Sequence, residues 1–166
     1  MYKLSEETKN KLINSEQLQV NDLVPNPIIL KNSLNEKITE YALKELILNN
    51  LDDFLSQLGN GFSYIGNEFK IKFNNKYNYI DLLLYNIKFK CYVVIELKIT
   101  ELKKEHIGQI QTYMNYIDKN IKTINEDKTI GIIIVKKNDK YIMEYCSDER
   151  IITKEYELVW YNNYRK

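Results

Sequence analysis

The apolar run Cys91-Tyr92-Val93-Val94-Ile95 constrains the fold of this chain more than any other feature, because it leads directly into Glu96-Leu97-Lys98. A continuous run of this kind belongs in a buried strand, where an ionised side chain is costly unless something pairs with it. A second run, Tyr79-Ile80-Asp81-Leu82-Leu83-Leu84-Tyr85, carries another acid in the same kind of setting. Two acids and a base near the ends of two apolar strands suggest a metal site.

Around these runs the hydrophobic period lays out an α/β chain. Ser33-Leu34-Asn35-Glu36 has the form of a capping box, and Leu34, Ile38, Ala42, Leu46, Leu51, Phe54, Leu55 and Leu58 follow helical spacing. One long helix is expected over about 34–58, stopping at Gly59 and Gly61. The period then drops to two. Phe69, Ile71 and Phe73 alternate with Lys70 and Lys72, Asn74-Asn75 offers a turn, and residues 77–85 resume an extended pattern, which together describe a hairpin. Residues 89–98 supply a third strand. Ile107, Ile110, Met114 and Ile117 return to helical spacing, so a helix over about 104–121 is predicted to cross over to a buried strand at 129–135. A short helix over 139–146 and a last strand over 152–160 complete the chain. The order α-β-β-β-α-β describes an α/β sandwich, a mixed central sheet flanked by helices. Residues 1–25, polar with a weak helical pattern from Ser5 to Asn14, read as an arm. Pro25 and Pro27 then punctuate an extended lead-in, and residues 26–166 form the domain.

At 166 residues and 44% hydrophobic content the chain is the size of one domain with a real core. A formal net charge of +1 excludes a polybasic nucleic-acid coat protein but not a local positive face. Residues 61–104 hold eight lysines against four acids, so positive charge concentrates around the suspected site. Lys70, Lys72, Lys103 and Lys104 are the candidates for phosphate contact; for Lys70 and Lys72, as for Lys88 and Lys90, solvated strand edges are the competing explanation. The N-terminus lacks the apolar stretch of a signal peptide, and no run approaches the ~20 residues of a membrane span, so a soluble cytoplasmic protein is expected. Cys91 and Cys146 have no metal-binding spacing and read as core or surface residues without a disulfide. A zinc site is not expected, since His106 is the only histidine; it reads as an exposed structural residue.

The chemistry follows from spacing. Glu96 and Lys98 are two apart on one strand and share a face, while Leu97 points to the other. Asp81 lies on the preceding strand, and antiparallel pairing brings its carboxylate close to Glu96 at one sheet end. Two close carboxylates repel, which raises a pKa or recruits a cation, and hard oxygen ligands favour Mg²⁺ or Mn²⁺. Lys98 beside them is placed to orient or deprotonate a water, or to neutralise charge building on a phosphate. The competing arrangement is a buried Glu96–Lys98 salt bridge with Asp81 exposed at a strand end.

The pattern D-x(14)-E-x-K, with hydrophobic strands ahead of both parts and an upstream acidic helix, resembles the PDDEXK, or restriction-endonuclease-like, nuclease superfamily. The segments Phe62 to Gly66, Tyr79 to Leu83, Val94 to Lys98, Gly108-Gln109-x-x-x-Tyr113, Ile130-Gly131-Ile132 and Glu155 to Val159 are similar to the C-terminal nuclease domain of the YhcG-type family, over about residues 26–160. The resemblance implies a restriction-endonuclease-like fold and a DNA nuclease in which a metal-activated water hydrolyses the phosphodiester bond. It implies that Asp81 and Glu96 hold the metal, that the backbone carbonyl of Leu97 adds a ligand, and that Lys98 assists the attacking water. It further implies an acid from the first helix, with Glu45 matching best by position and Glu40 second, and a role for Gln109 and Tyr113 in positioning the metal shell or the substrate backbone. Double-stranded or branched DNA is the implied partner, and a homodimer and a separate targeting subunit fit the same picture. Related proteins carry a substantial helical region ahead of the nuclease domain, whereas about 25 residues precede it here. A non-cleaving binding module and a dimeric junction resolvase are the rival readings.

Overall fold

The computed structural model describes residues 27–32 and 38–160. The expected arm, its helical pattern from Ser5 to Asn14, and the Ser33–Glu36 capping box lie outside the described residues. In chain order the elements are β1 (Ile28–Asn32), α1 (Glu40–Asn49), α2 (Leu51–Leu58), β2 (Phe62–Phe73), β3 (Lys76–Asn86), β4 (Cys91–Leu97), α3 (Lys104–Asn120), β5 (Ile130–Val135), α4 (Lys140–Glu144) and β6 (Ile151–Trp160). The strands form one mixed sheet in the order β1-β6-β5-β4-β3-β2. β2, β3 and β4 are an antiparallel meander, and β4, β5, β6 and β1 run parallel. This is the α/β sandwich with a mixed, helix-flanked sheet that the periodicity describes.

Each face of the sheet has its own core. Leu43, Ile47, Phe54 and Leu58 of α1 and α2 pack with Leu82, Leu84, Val93, Ile95, Ile132 and Ile134 on one side. Ile110, Tyr113, Met114 and Ile117 of α3 pack with Ile71, Ile80, Leu83, Val94 and Ile133 on the other. All six residues of β5 are buried, as expected for a central parallel strand with both faces covered. α3 lies so close to β5 at Gly131 that an added Cβ would sit 2.5 Å from Met114 Sδ and 3.0 Å from Ile110 Cδ1. A glycine there lets the crossover helix seat directly on the strand.

Three expectations about elements need correction. The single helix over 34–58 is two helices, broken at Asn50, whose φ of −133° and ψ of 48° are outside the helical region. Asn50 donates its amide to Ile47 at 3.2 Å and accepts from the Phe54 amide at 3.0 Å, so it ends one helix and begins the next. The start of α1 is capped by Thr39, whose Oγ1 accepts from the Ala42 amide at 3.0 Å. The extended lead-in contains a paired strand, β1, which lies parallel to β6 with Ile28 opposite Tyr156. β2 begins at Phe62, seven residues before the visible alternation at Phe69, because a bulge between Tyr64 and Gly66 and the positive φ of Glu68 (47°) interrupt the two-residue period. Both cysteines are free, Cys91 buried and Cys146 half-buried. Among the described residues no helix is long and apolar enough to cross a membrane.

Candidate active site

The ladder between β3 and β4 ends at the Leu82–Ile95 pair, one step short of the two acids. Beyond it, side chains take over the amides that further pairing would use. Glu96 Oε2 accepts from the Asp81 amide at 3.0 Å, and Asp81 Oδ2 accepts from the Leu97 amide at 2.8 Å. Each acid therefore bonds the opposite strand, and the strands part at a fork with both carboxylates in it. Glu96 is 3% exposed and Asp81 half-buried. Burial, then the neighbouring Asp81 charge, pushes the Glu96 carboxyl well above the usual carboxylate range. Burial likewise raises Asp81, opposed by the Leu97 amide and by the charges of Lys44 and Lys98. The competing sequence reading is not what the structure has: Lys98 makes no ion pair with Glu96, and Asp81 faces Glu96 across the fork.

On the α3 side a short chain of side chains supports Lys98. Its Nζ donates to Gln109 Oε1 at 3.1 Å, and Gln109 Nε2 donates to the Tyr113 hydroxyl at 3.3 Å. Gln109 and Tyr113 are four apart on α3, so one helix face carries both toward the end of β4. Tyr113 is 4% exposed, and burial followed by the Glu96 charge raises its pKa. The structure thus brings Asp81, Glu96, Lys98, Gln109 and Tyr113 together, with Leu97 tied to the pair through its amide.

The α1 side holds residues that sequence reasoning ranked second or missed. The charge of Glu40 acts on both Asp81 and Glu96. Glu45, half-buried, stands five residues further, about 140° around the helix from Glu40. Lys44, one turn after Glu40, is buried and forms an ion pair with Glu68. The flanking pairs Asn67–Leu82 and Phe69–Ile80 place Glu68 level with Asp81, and Leu82–Ile95 places Asp81 level with Glu96. Glu68, Asp81 and Glu96 thus occupy one line across three adjacent strands. The i, i+4 spacing of Glu40 and Lys44 on the face of Leu43 and Ile47 was the available signal; the left-handed backbone of Glu68 left none.

The remaining candidates lie around this centre. Lys103 and Lys104 are exposed at the start of α3. His106, half-buried, accepts the Lys103 amide on Nδ1 at 3.1 Å and caps the helix, and burial, then the Lys98 charge, lowers its pKa. Lys70 and Lys72 are exposed on the outer strand β2, away from α3.

The donor set suits a hard divalent cation. Neither Asp81 Oδ1 nor Glu96 Oε1 accepts a hydrogen bond from the described residues, so each acid keeps one oxygen for a ligand. Among the described residues no three His, Cys, Asp or Glu side chains gather as a metal-holding group.

Comparison with known proteins agrees with this architecture. The chain is 25% identical over 101 residues to the Escherichia coli (strain K12) protein named Putative nuclease YhcG, covering 61% of this chain and 27% of that one. It therefore spans about a quarter of that relative's length. Among solved structures, the EndoMS–dsDNA2 complex is similar with a TM-score of 0.51 and 18% identity, over 78% of this chain and 49% of that chain. A repair endonuclease from Pyrococcus abyssi aligns at 16% identity with a TM-score of 0.48, over 76% and 49% of the two chains. The model of the YhcG PDDEXK nuclease domain matches residues 22–164, nearly the whole sequence, and the chain belongs to that family.

Proposed function

We propose that this chain is a metal-dependent endonuclease that hydrolyses phosphodiester bonds in DNA, with residues 26–166 as the nuclease domain. The observation that carries the reading is the pair of reciprocally hydrogen-bonded carboxylates, each with one open oxygen, at the carboxyl end of a central strand. Asp81, Glu96 and the Leu97 carbonyl would hold Mg²⁺ or Mn²⁺, which supplies Lewis-acid polarisation of the phosphate and a more acidic water. Lys98 is the group that handles the nucleophile: tethered to the neutral amide of Gln109, it keeps its charge available to orient the attacking water and to offset charge growing on the phosphate. Tyr113 fixes the Gln109 amide and so sets where Lys98 points. Glu40 replaces Glu45 as the acid contributed by the first helix, because it is the one whose charge reaches both Asp81 and Glu96. Lys103 and Lys104, at the α3 end near Lys98, and Lys70 and Lys72, on the outer hairpin, contact the substrate backbone.

The test is incubation of the purified protein with plasmid, branched junction, single-stranded DNA and RNA in Mg²⁺ or Mn²⁺, with and without EDTA. The wild type is expected to cut at least one DNA form, EDTA to stop it, and Glu96→Gln to cut far more slowly while remaining folded. Equal cutting by the variant removes the assignment. Tight binding without cutting would instead favour a non-cleaving module.

A further inference from the structure

The outer half of the β2–β3 hairpin carries a pattern that the acid site does not use. Lys70 pairs across the strands with Tyr79, and Lys72 with Tyr77, making two successive lysine–tyrosine rungs. The rings are open to solvent, Tyr77 at 55% and Tyr79 at 47% exposure. Lys70 Nζ lies 4.2 Å from the centroid of the Tyr77 ring and Lys72 Nζ 5.5 Å from it, so both ammonium groups gather around one aromatic ring.

The opposite side of the same ribbon is anchored. Ile71 and Ile80 are buried in the α3-side core, and Phe73 packs against Tyr116 of α3 with centroids 6.4 Å apart. The lysine–tyrosine side is therefore presented on a fixed support rather than on a loose arm. In register the pair next inward from Lys70–Tyr79 is Phe69–Ile80, and one step beyond it Glu68 stands level with Asp81, so the ribbon that carries the two rungs runs on to the fork.

We infer that these two rungs form a binding track for single-stranded polynucleotide entering the acid site; the inference rests on the nuclease reading above and names the form of its substrate. Exposed aromatic rings beside cations match the two recognition elements of an unpaired strand, bases that stack and phosphates that need a positive neighbour. A duplex offers the rings nothing, since its base faces are covered. Rungs two residues apart along a strand are about 6.8 Å from one another, twice the ~3.4 Å spacing along a duplex strand, which fits an extended chain with one base per ring.

The experiment measures binding of fluorescein-labelled oligothymidylate and of a blunt duplex of equal length by anisotropy, in EDTA so that nothing is cut. Tyr77→Ala and Tyr79→Ala are each expected to weaken oligothymidylate binding at least about fivefold with an unchanged salt slope. Tyr77→Phe and Tyr79→Phe, which keep the ring, are expected to retain wild-type affinity. Lys70→Gln and Lys72→Gln are each expected to lower the salt slope by about 0.7. Thermal melts at wild-type temperature show that the alanine variants are folded, as the exposure of both rings leads one to expect. Unchanged oligothymidylate affinity in both alanine variants overturns the track, as does a duplex bound as tightly as the single strand and equally weakened by those variants. Failure of the nuclease reading appears separately, as Glu96→Gln protein that cuts as fast as the wild type.

Discussion

At the amino end of β5 and β6, Asp118 and Asp148 share the Arg150 guanidinium; at the carboxyl end of β4, Asp81 and Glu96 share no ion pair among the described residues. In the first cluster every donor and acceptor is answered. Arg150 reaches Asp118 at 3.0 Å and Asp148 at 2.9 Å, Asp118 also accepts the Thr129 amide and hydroxyl, and Asp148 also accepts from Gln111. The Arg150 hydrogen bond holds the Asp148 carboxyl down to about 2, whereas burial drives Glu96 the other way. Burial is not the whole difference. The Arg150 cluster brings its own cation, and the fork pairs its two acids with none among the described residues, so one end of the sheet is built for stability and the other holds charge in reserve.

Replacing one acid at the fork tests this contrast most severely. Glu96→Gln is expected to lower the cleavage rate on the order of 10²–10³-fold, the scale seen when one charge-stabilising group is removed. In metal-free buffer the same variant should melt higher than the wild type above the ordinary carboxylate range. The sign follows from linkage: a folded-state pKa above the unfolded one means that stability falls as pH rises between the two, and the amide removes that loss. A lower melting temperature for Glu96→Gln at pH 8 would break the comparison. Arg150→Ala at the opposite end should cost roughly 3 kcal/mol, at the low end for a buried pair because Arg150 keeps some solvent contact. Urea titration measures it, and cleavage per folded molecule should stay at the wild-type level.

Acid titration sharpens the contrast. Because the folded-state pKa of Asp148 is depressed, its contribution to stability is complete above the unfolded carboxylate pKa and is lost as pH falls through that value toward about 2. Wild-type stability should drop over this range by on the order of 1 kcal/mol more than that of Asp148→Asn, allowing for partial exposure. The smallest effect is expected at Lys98, whose partner is an amide where Arg150 has carboxylates. Gln109→Ala removes about one hydrogen bond's worth of positioning, ~1 kcal/mol, and should slow kcat about fivefold while leaving KM unchanged. A change confined to KM would make Gln109 a substrate contact instead.

Much of this was legible in the chain. The runs at Cys91–Ile95 and Ile130–Val135 and the spacing of Ile110, Met114 and Ile117 are strong periodic signals, and they place β4, α3 and β5 within a residue or two. Glu96, Lys98, Gln109 and Tyr113 converge because β4, the residue after it and α3 carry them, and Asp81 joins them from the neighbouring strand β3. Helix geometry, in contrast, could not choose between Glu40 and Glu45 without knowing which face of α1 meets the sheet, since the start of that helix was expected several residues too early. Nothing in the sequence singles out Lys44, because its burial beside Glu68 depends on a backbone turn at Glu68 that has no sequence signature. The break at Asn50 was hidden for a related reason: the apolar stripe continues across it, and only two consecutive asparagines hint that the backbone does not.

The exchanged bonds at the fork have a practical consequence for observing the site. The amide protons of Asp81 and Leu97 are each held by a carboxylate whose charge state and ligation define the site, not by a carbonyl of the sheet. Their chemical shifts and solvent-exchange rates should therefore register protonation or ion capture directly, while the neighbouring amides of Leu82 and Leu83, inside the intact ladder, stay constant as an internal reference. Two backbone resonances thus serve as a native reporter of occupancy, readable in a protein that need never turn over.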